Sequence, residues 1–133
     1  MMAAMEQAVT PKPLRVFVVE DSRLVRERLL AMLSGVAQTA GTADNAEDAI
    51  AGILETHPDA VVLDLKLARG SGIDVLRALR ERAPGIAVYM LTNYPASHYR
   101  RLAGELGARG FFDKSTEFNR VREEIAACAG ATH

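Results

Sequence analysis

Short apolar runs alternate with longer amphipathic segments along this chain of 133 residues, and this alternation restricts the fold more than any other feature. The first, third and fourth runs are continuously apolar, as strands covered on both faces are. The second run is the least apolar and is therefore predicted to lie at an edge of the sheet. The predicted strands are Arg15–Glu20, Val36–Thr39, Ala60–Asp64, Ile86–Leu91 and Gly110–Asp113.

Each predicted strand is followed by a segment whose apolar side chains recur at the three- and four-residue spacing of a helix. Asp44 and Glu47 have the spacing of a capping box, and Ser115 or Thr116 is predicted to cap the fifth helix. A strand followed by a helix, repeated five times, is typical of an α/β fold with a parallel sheet between two layers of helices. The helical stripes begin at Val25, Ala46, Ile73, Tyr99 and Phe118.

The handedness of the connections narrows the topology, because crossovers between parallel strands are almost always right-handed. We therefore predict a (βα)5, doubly wound, five-stranded parallel sheet with the strand order 2-1-3-4-5. Residues 1–13 are small and polar and are closed by two prolines, which predicts a disordered N-terminal tail. Residues 14–130 are expected to form a single domain with no output domain after it.

Charge and composition exclude several classes of protein. With 16 basic and 17 acidic residues the net charge is −1, whereas nucleic-acid binding draws on a basic excess. Cys128 is the single cysteine, so no intramolecular disulfide can form. The longest wholly apolar run, Ile86–Leu91, is far shorter than the roughly 20 residues of a membrane span. We therefore expect a cytoplasmic protein with no nucleic-acid or membrane partner, and Arg100 and Arg101 are expected to be solvated surface charges.

Polar side chains follow four of the predicted strands at their carboxyl ends. In the predicted topology these ends meet at one edge of the sheet, where ligands of such folds bind. Three carboxylates in a small cluster repel one another, and hard oxygen ligands of this kind suit Mg²⁺. The residues are Glu20, Asp21, Asp64, Thr92 and Lys114.

Asp64 ends an apolar run and is the carboxylate best placed to act as a nucleophile. A carboxylate can accept a phosphoryl group and form an acyl phosphate. Because phosphoryl transfer depends mainly on positioning and on neutralised charge, Mg²⁺ and Lys114 would complete the chemistry. Thr92 could donate a hydrogen bond to a phosphoryl oxygen. These residues predict Mg²⁺-dependent phosphorylation of an aspartate.

The motifs around these residues extend from residue 14 to about residue 129. Together they resemble the receiver domains of two-component response regulators, in particular single-domain receivers of the chemotaxis-regulator type. The resemblance implies a flavodoxin-like fold and a role in phosphorelay signalling. The motifs read VFVVEDS at Val16–Ser22, VVLDLKL at Val61–Leu67, VYMLTN at Val88–Asn93 and GARGFFDKS at Gly107–Ser115, with Gly72 eight residues after Asp64.

By this resemblance, Glu20, Asp21 and Asp64 form an acidic Mg²⁺ pocket in which Asp64 is the phosphoacceptor. The backbone carbonyl of Lys66 matches the family's further metal ligand, and Lys114 matches the lysine that pairs with the phosphoryl group.

Two further positions match the family's conformational switch, in which Thr92 supplies the hydroxyl and Phe111 the aromatic ring. Lys66, Asn93 and Tyr94 stand where side chains tune the access of water and the lifetime of the acyl phosphate.

Ser115 follows Lys114 where proline is common in the family, and the family often has a cis peptide bond there.

The resemblance also implies partners. A histidine kinase or a histidine phosphotransfer protein would supply the phosphoryl group, and the surface of the fourth helix, fifth strand and fifth helix would switch to control a downstream protein. Many relatives form homodimers through that same face. We expect a stand-alone receiver that acts as a signalling protein rather than as an enzyme, although it would catalyse its own phosphorylation and dephosphorylation.

Three other functions remain open at this stage. A receiver-like interaction module would work without phosphorylation, although the set of phosphorylation residues is complete. A phosphohydrolase of the haloacid dehalogenase type would carry a second aspartate two residues after the nucleophile, where this chain has Lys66. A flavin-binding electron carrier would need a hydroxyl- and glycine-rich loop after the first strand, where Glu20 and Asp21 would repel phosphate.

Overall fold

The computed structural model of the chain describes residues 13–93 and 97–131. The strands are β1 (Arg15–Val19), β2 (Gln38–Ala43), β3 (Ala60–Leu63), β4 (Ala87–Thr92) and β5 (Gly110–Asp113). The helices are α1 (Arg23–Leu33), α2 (Ala46–Thr56), α3 (Gly72–Arg82), α4 (Ser97–Glu105) and α5 (Arg120–Ala131). The predicted tail, apart from Pro13, and Tyr94 lie outside the described residues.

The five strands form one sheet in the order β2-β1-β3-β4-β5, and every pairing is parallel, as predicted. Because successive side chains of a strand point to opposite faces, alternate residues of β1 enter two different cores. Phe17 and Val19 pack with the apolar faces of α2 and α3, whereas Val16 and Val18 pack with those of α1 and α5. Among the described residues, no helix is both long enough and apolar enough to cross a membrane.

The second strand begins two residues later than predicted and runs to Ala43 instead of Thr39. The edge position was predicted correctly, but the bounds were wrong because the strand is built from small and polar residues, QTAGTA, that carry little apolar signal. Its glycine has a packing reason: a Cβ at Gly41 would lie 2.8 Å from the ring of Phe17. The size of the Phe17 ring on β1 therefore explains why β2 contains a glycine, a residue that is uncommon in strands.

The predicted helix caps were also wrong in detail. Asn45, and not Asp44, caps α2, because its side chain accepts a hydrogen bond from the backbone N–H of Asp48 at 2.9 Å. The reciprocal capping box belongs to α3, between Ser71 and Asp74.

The fifth helix begins at Arg120, so neither Ser115 nor Thr116 caps it. The Ser115 hydroxyl and backbone N–H instead donate to Asp113 Oδ1 at 2.7 and 2.8 Å. Local hydrogen bonds of this kind compete with helix capping.

The loop from β3 to α3 folds back closely over the end of β3. The backbone N–H of Gly72 donates to the carbonyl of Leu65 at 2.7 Å, and a Cβ at Gly72 would overlap the carbonyl oxygen of Asp64. Only a residue without a side chain allows this approach, which fixes the backbone from the Asp64 carbonyl to Leu65.

We predict that Gly72→Ala lowers the free energy of unfolding by about 1–3 kcal/mol, because its Cβ would displace the backbone at Asp64 and Leu65. Gly104→Ala is the matched control, since its Cβ in α4 would meet no atom within 4 Å. That variant should keep the parent stability or gain up to about 1 kcal/mol from helix propensity. Urea unfolding measures both, and equal stabilities of the two variants would contradict the close approach at Gly72.

Candidate functional site

Three carboxylates meet at the carboxyl ends of β1 and β3. Glu20 and Asp21 follow β1 and Asp64 follows β3, and each offers an oxygen within 4.8 Å of the others. Glu20 is only 1% exposed and Asp64 only 5%, whereas Asp21 is exposed to solvent. The cluster therefore has two buried members and one that faces water.

Backbone contacts hold the two buried carboxylates in place. The Asp64 N–H donates to the carbonyl of Val19 at 3.0 Å, which continues the pairing of β3 with β1 beyond the strand end. Glu20 Oε2 accepts a hydrogen bond from the N–H of Ser22 at 3.0 Å, and the Ser22 hydroxyl caps α1. Arg26 of α1 donates to the carbonyl of Glu20 at 2.8 Å. The start of α1 thus fixes the direction of Glu20.

Lys114 supplies the positive charge of the cluster. Its Nζ lies 2.6 Å from Glu20 Oε1 and 2.8 Å from Asp64 Oδ2, and its side chain is 9% exposed. The Lys114 N–H donates to the carbonyl of Thr92 at 2.9 Å, which ties the end of β5 to the end of β4. Residues predicted at the ends of four strands are therefore brought together at one edge.

The pKa values of Glu20 and Lys114 are both raised, but for different reasons. Burial raises the pKa of the Glu20 carboxyl, and the hydrogen bonds from Lys114 and Ser22 offset only part of that effect. Burial alone would lower the pKa of the Lys114 ammonium, but its hydrogen bonds to Asp64 and Glu20 outweigh burial and raise it. Lys114 is consequently a permanent cation at neutral pH.

The donor set fits a hard divalent cation. Asp64 Oδ1 is buried and has no hydrogen-bond partner within the described structure, and Glu20 Oε1 has the Lys114 ammonium beside it. A buried carboxylate oxygen without a partner is costly, and a metal ligand bond would satisfy it. A small cluster of carboxylates, two buried and one exposed, is an arrangement that suits Mg²⁺, which takes a few protein carboxylates and keeps several waters.

The two predicted switch residues are both buried. Thr92 is 0% exposed at the end of β4, and Phe111 is 7% exposed in β5. The guanidinium of Arg100, on α4, lies 4.8 Å from the centre of the Phe111 ring. Sequence reasoning missed this contact, because Arg100 is exposed and no spacing along the chain links α4 to β5.

The remaining predicted positions have separate outcomes. Lys66, two residues after Asp64, and Asn93, directly after Thr92, are both exposed, whereas Tyr94 lies outside the described residues. The roles of Lys66 and Asn93 stay predictions. No cis peptide bond occurs in the described segments, so the bond before Ser115 is trans.

Comparison with known proteins gives one consistent family. The family model of the response regulator receiver domain matches residues 16–126. The DNA-binding transcriptional activator DevR/DosR of Mycobacterium tuberculosis is 32% identical over 118 residues, which cover 85% of this chain and 54% of that protein. Protein-glutamate methylesterase/protein-glutamine glutaminase 6 of Anaeromyxobacter dehalogenans is 37% identical over 119 residues, covering 86% of this chain and 33% of that protein.

The chain thus spans about half, or less, of the length of these relatives. The expectation of a stand-alone receiver therefore stays a prediction.

Solved structures agree with the fold. The signal receiver domain of NarL from Mycobacterium tuberculosis superposes with a TM-score of 0.82 at 27% identity, covering 90% of this chain and 98% of that chain. The response regulator domain of CheB from Thermotoga maritima gives a TM-score of 0.79 at 24% identity, with the same coverage of 90% and 98%. The order of strands and the placement of helices are common to these domains.

We predict that Lys114→Met lowers the free energy of unfolding by roughly 3 kcal/mol, because it leaves two buried carboxylates without their counter-charge. Arg23→Met is the matched control, since it removes an ion pair with Glu27 whose side chains are 84% and 58% exposed. That loss should stay below about 0.5 kcal/mol. Equal losses in urea unfolding would contradict the role of Lys114.

The stability difference between the parent and Lys114→Met should depend on pH in a defined direction. Because the pKa of Lys114 is raised in the folded state, its contribution is fully present below the ordinary lysine pKa of about 10.4. The contribution is lost as the pH rises through the higher folded value. The stability difference between the parent and Lys114→Met should therefore be constant from neutral pH to about pH 10 and shrink above it. If the stability difference were already lost before the rising pH reached about 9, a group other than Lys114 would be responsible for it.

Proposed function

Because the chain belongs to the response regulator receiver domain family, we propose that it accepts a phosphoryl group on Asp64 in a Mg²⁺-dependent reaction. The observation that carries the proposal is the Asp64 carboxylate, buried at a strand end with Oδ2 on Lys114 and Oδ1 without a hydrogen-bond partner in the described structure. That carboxylate is fixed by its neighbours and still has one oxygen available for chemistry.

The transfer itself needs few parts. A carboxylate oxygen of Asp64 attacks the phosphorus of the donor, the bond from phosphorus to the leaving group breaks, and the leaving group departs with that electron pair. The product is an acyl phosphate. Lys114 would pair with a phosphoryl oxygen, since its ammonium already lies 2.8 Å from Asp64. When bound, Mg²⁺ supplies charge neutralisation at the phosphoryl oxygens.

The Mg²⁺ site would comprise the carboxylates of Glu20, Asp21 and Asp64 together with the backbone carbonyl of Lys66. Support for the three carboxylates is their mutual distance of at most 4.8 Å. The carbonyl of Lys66 rests on the family resemblance alone.

The phosphorylated domain would act as a switch in two-component signalling. A histidine kinase or a histidine phosphotransfer protein would donate the phosphoryl group in the cytoplasm. Thr92 would turn toward it, and Phe111 would be held in its buried position. These changes would alter the surface formed by α4, β5 and α5, to which a downstream protein would bind. The domain would thus act as a signalling protein rather than as an enzyme.

We predict that incubation with a small phosphodonor and Mg²⁺ adds one phosphoryl group to the parent protein, as measured by intact mass. Asp64→Asn should add none, and chelation of Mg²⁺ should abolish the adduct in the parent. Asp59→Asn is the matched control, because Asp59 precedes β3 and Asp64 follows it. The amide oxygen introduced by this control can still accept the hydrogen bond that the Arg15 N–H donates to Asp59 at 2.8 Å.

A rapidly hydrolysed adduct would escape this assay, so a beryllofluoride complex followed by NMR is the second measurement. Shifts at Asp64 and its neighbours that require Mg²⁺ would support the phosphoacceptor. No adduct and no shifts in the parent would overturn the proposal and favour an interaction module that works without phosphorylation.

We predict that Thr92→Ala still binds beryllofluoride but loses most of the shift changes on α4, β5 and α5, because its hydroxyl would connect the acyl phosphate to that surface. Thr39→Ala, at an exposed position of β2, is the matched control and should respond as the parent does. Full retention of the α4–β5–α5 response in Thr92→Ala would contradict the role of the hydroxyl.

A further inference from the structure

Arg100 makes two contacts with one residue of β5. Its guanidinium lies over the ring of Phe111 at 4.8 Å from the ring centre, and its Nη1 donates a hydrogen bond to the carbonyl of Phe111 at 2.9 Å. The first contact is a cation–π interaction and the second is a charge-assisted hydrogen bond. Arg100 therefore binds both the side chain and the backbone of Phe111.

The ring lies between this cation and the core. Phe111 belongs to the apolar cluster that includes Ala103, and Tyr99 and Leu102 of the same helix pack against that cluster. Arg100 itself is exposed, whereas Phe111 beneath it is only 7% exposed. The guanidinium consequently covers the solvent side of a ring whose other side contacts apolar groups.

The charge of Arg100 also reaches the end of β5. The pKa of the Asp113 carboxyl is lowered, mainly by the hydrogen bonds from Ser115 and to a smaller extent by Arg100. The guanidinium thus contacts Phe111, and its charge acts at longer range on a carboxylate two residues farther along the same strand. A guanidinium held by both a ring and a carbonyl has a defined position even on an exposed helix face.

We propose that Arg100 is a positioning residue that holds Phe111 in its buried conformation before any phosphoryl group is present. The importance of Phe111 for signalling rests on the proposed function, whereas the contact with Arg100 does not. In the unphosphorylated protein, Arg100 sets the ratio of buried to exposed Phe111. The more this ratio already favours the buried conformation, the smaller is the further increase that phosphorylation can produce.

The test uses the full chain with fluorinated phenylalanine. The chain has four phenylalanines, and the Phe111→Leu variant assigns the ¹⁹F signal of Phe111. The solvent isotope shift of that signal, between H₂O and D₂O, measures how exposed the ring is. Arg100→Ala is compared with Arg101→Ala, which removes the same charge from the neighbouring exposed position of α4.

In the protein without beryllofluoride, Arg100→Ala should reduce the ratio of buried to exposed Phe111 by roughly 3- to 10-fold. Arg101→Ala should leave the signal as in the parent. Arg100→Lys should lie between Arg100→Ala and the parent, because it keeps the cation but loses the planar guanidinium. An unchanged signal in Arg100→Ala, or equal changes in Arg100→Ala and Arg101→Ala, would overturn the proposal.

A second arm adds Mg²⁺ and beryllofluoride. Arg100→Ala should show a larger change of the Phe111 signal than the parent, since more of the ring starts exposed. If beryllofluoride moved the signal in no protein while Arg100→Ala still differed from the parent without it, the positioning role would stand and the proposed switch would fail. A smaller beryllofluoride response in Arg100→Ala than in the parent would overturn the claim that Arg100 sets the ratio of buried to exposed Phe111 in the unphosphorylated protein.

Discussion

The ammonium of Lys114, held between two buried carboxylates, is the interaction on which the rest of the site depends. Glu20 and Asp64 directly follow β1 and β3, in which every residue except Arg15 is apolar and buried. A carboxylate buried there without a counter-charge would be strongly unfavourable. Lys114 reaches both of them, at 2.6 and 2.8 Å, although β4 lies between β3 and β5 in the sheet. The site is therefore assembled from strands that are distant in sequence, and the parallel sheet sets its geometry.

The charges of this cluster do not balance by themselves. Three carboxylates and one ammonium leave an excess of two negative charges when all are ionised. Burial is the main cause of the raised pKa of the Glu20 carboxyl, and the charge of Asp64 adds a smaller contribution. A divalent cation would neutralise the excess negative charge. Asp64 Oδ1 could bind it, because this oxygen has no hydrogen-bond partner within the described structure. The same acidity that is unfavourable in the protein alone would favour a bound divalent cation, and the proposed phosphoryl transfer depends on that cation.

Much of this arrangement could be predicted from the sequence because the strong signals coincide with the strand ends. An acidic residue directly after a buried apolar strand, as at Asp64, is hard to explain without a partner. The bounds of β2 could not be predicted, because its residues are small and polar and Gly41 is required by the ring of Phe17 on a neighbouring strand. The contact of Arg100 with Phe111 was likewise beyond sequence reasoning, since it depends on how α4 is placed beside β5. What failed were features decided by tertiary packing rather than by local pattern.

The short strand β5 links two residues that are bound by cations or act as one, Phe111 beneath Arg100 and Lys114 at the acidic cluster. Lys114 follows the strand and contacts the acidic cluster, while Phe111, three residues earlier, is held by Arg100 of α4. The Lys114 N–H is tied to Thr92 and the Phe111 carbonyl is tied to Arg100, so the backbone between them has few ways to move independently. A change of charge at Asp64 would act directly on Lys114, and a shift of the Lys114 backbone would be passed to Phe111 along one strand. Coupling between the acidic cluster and the α4–β5–α5 surface would then need no long pathway, because β5 alone connects the two.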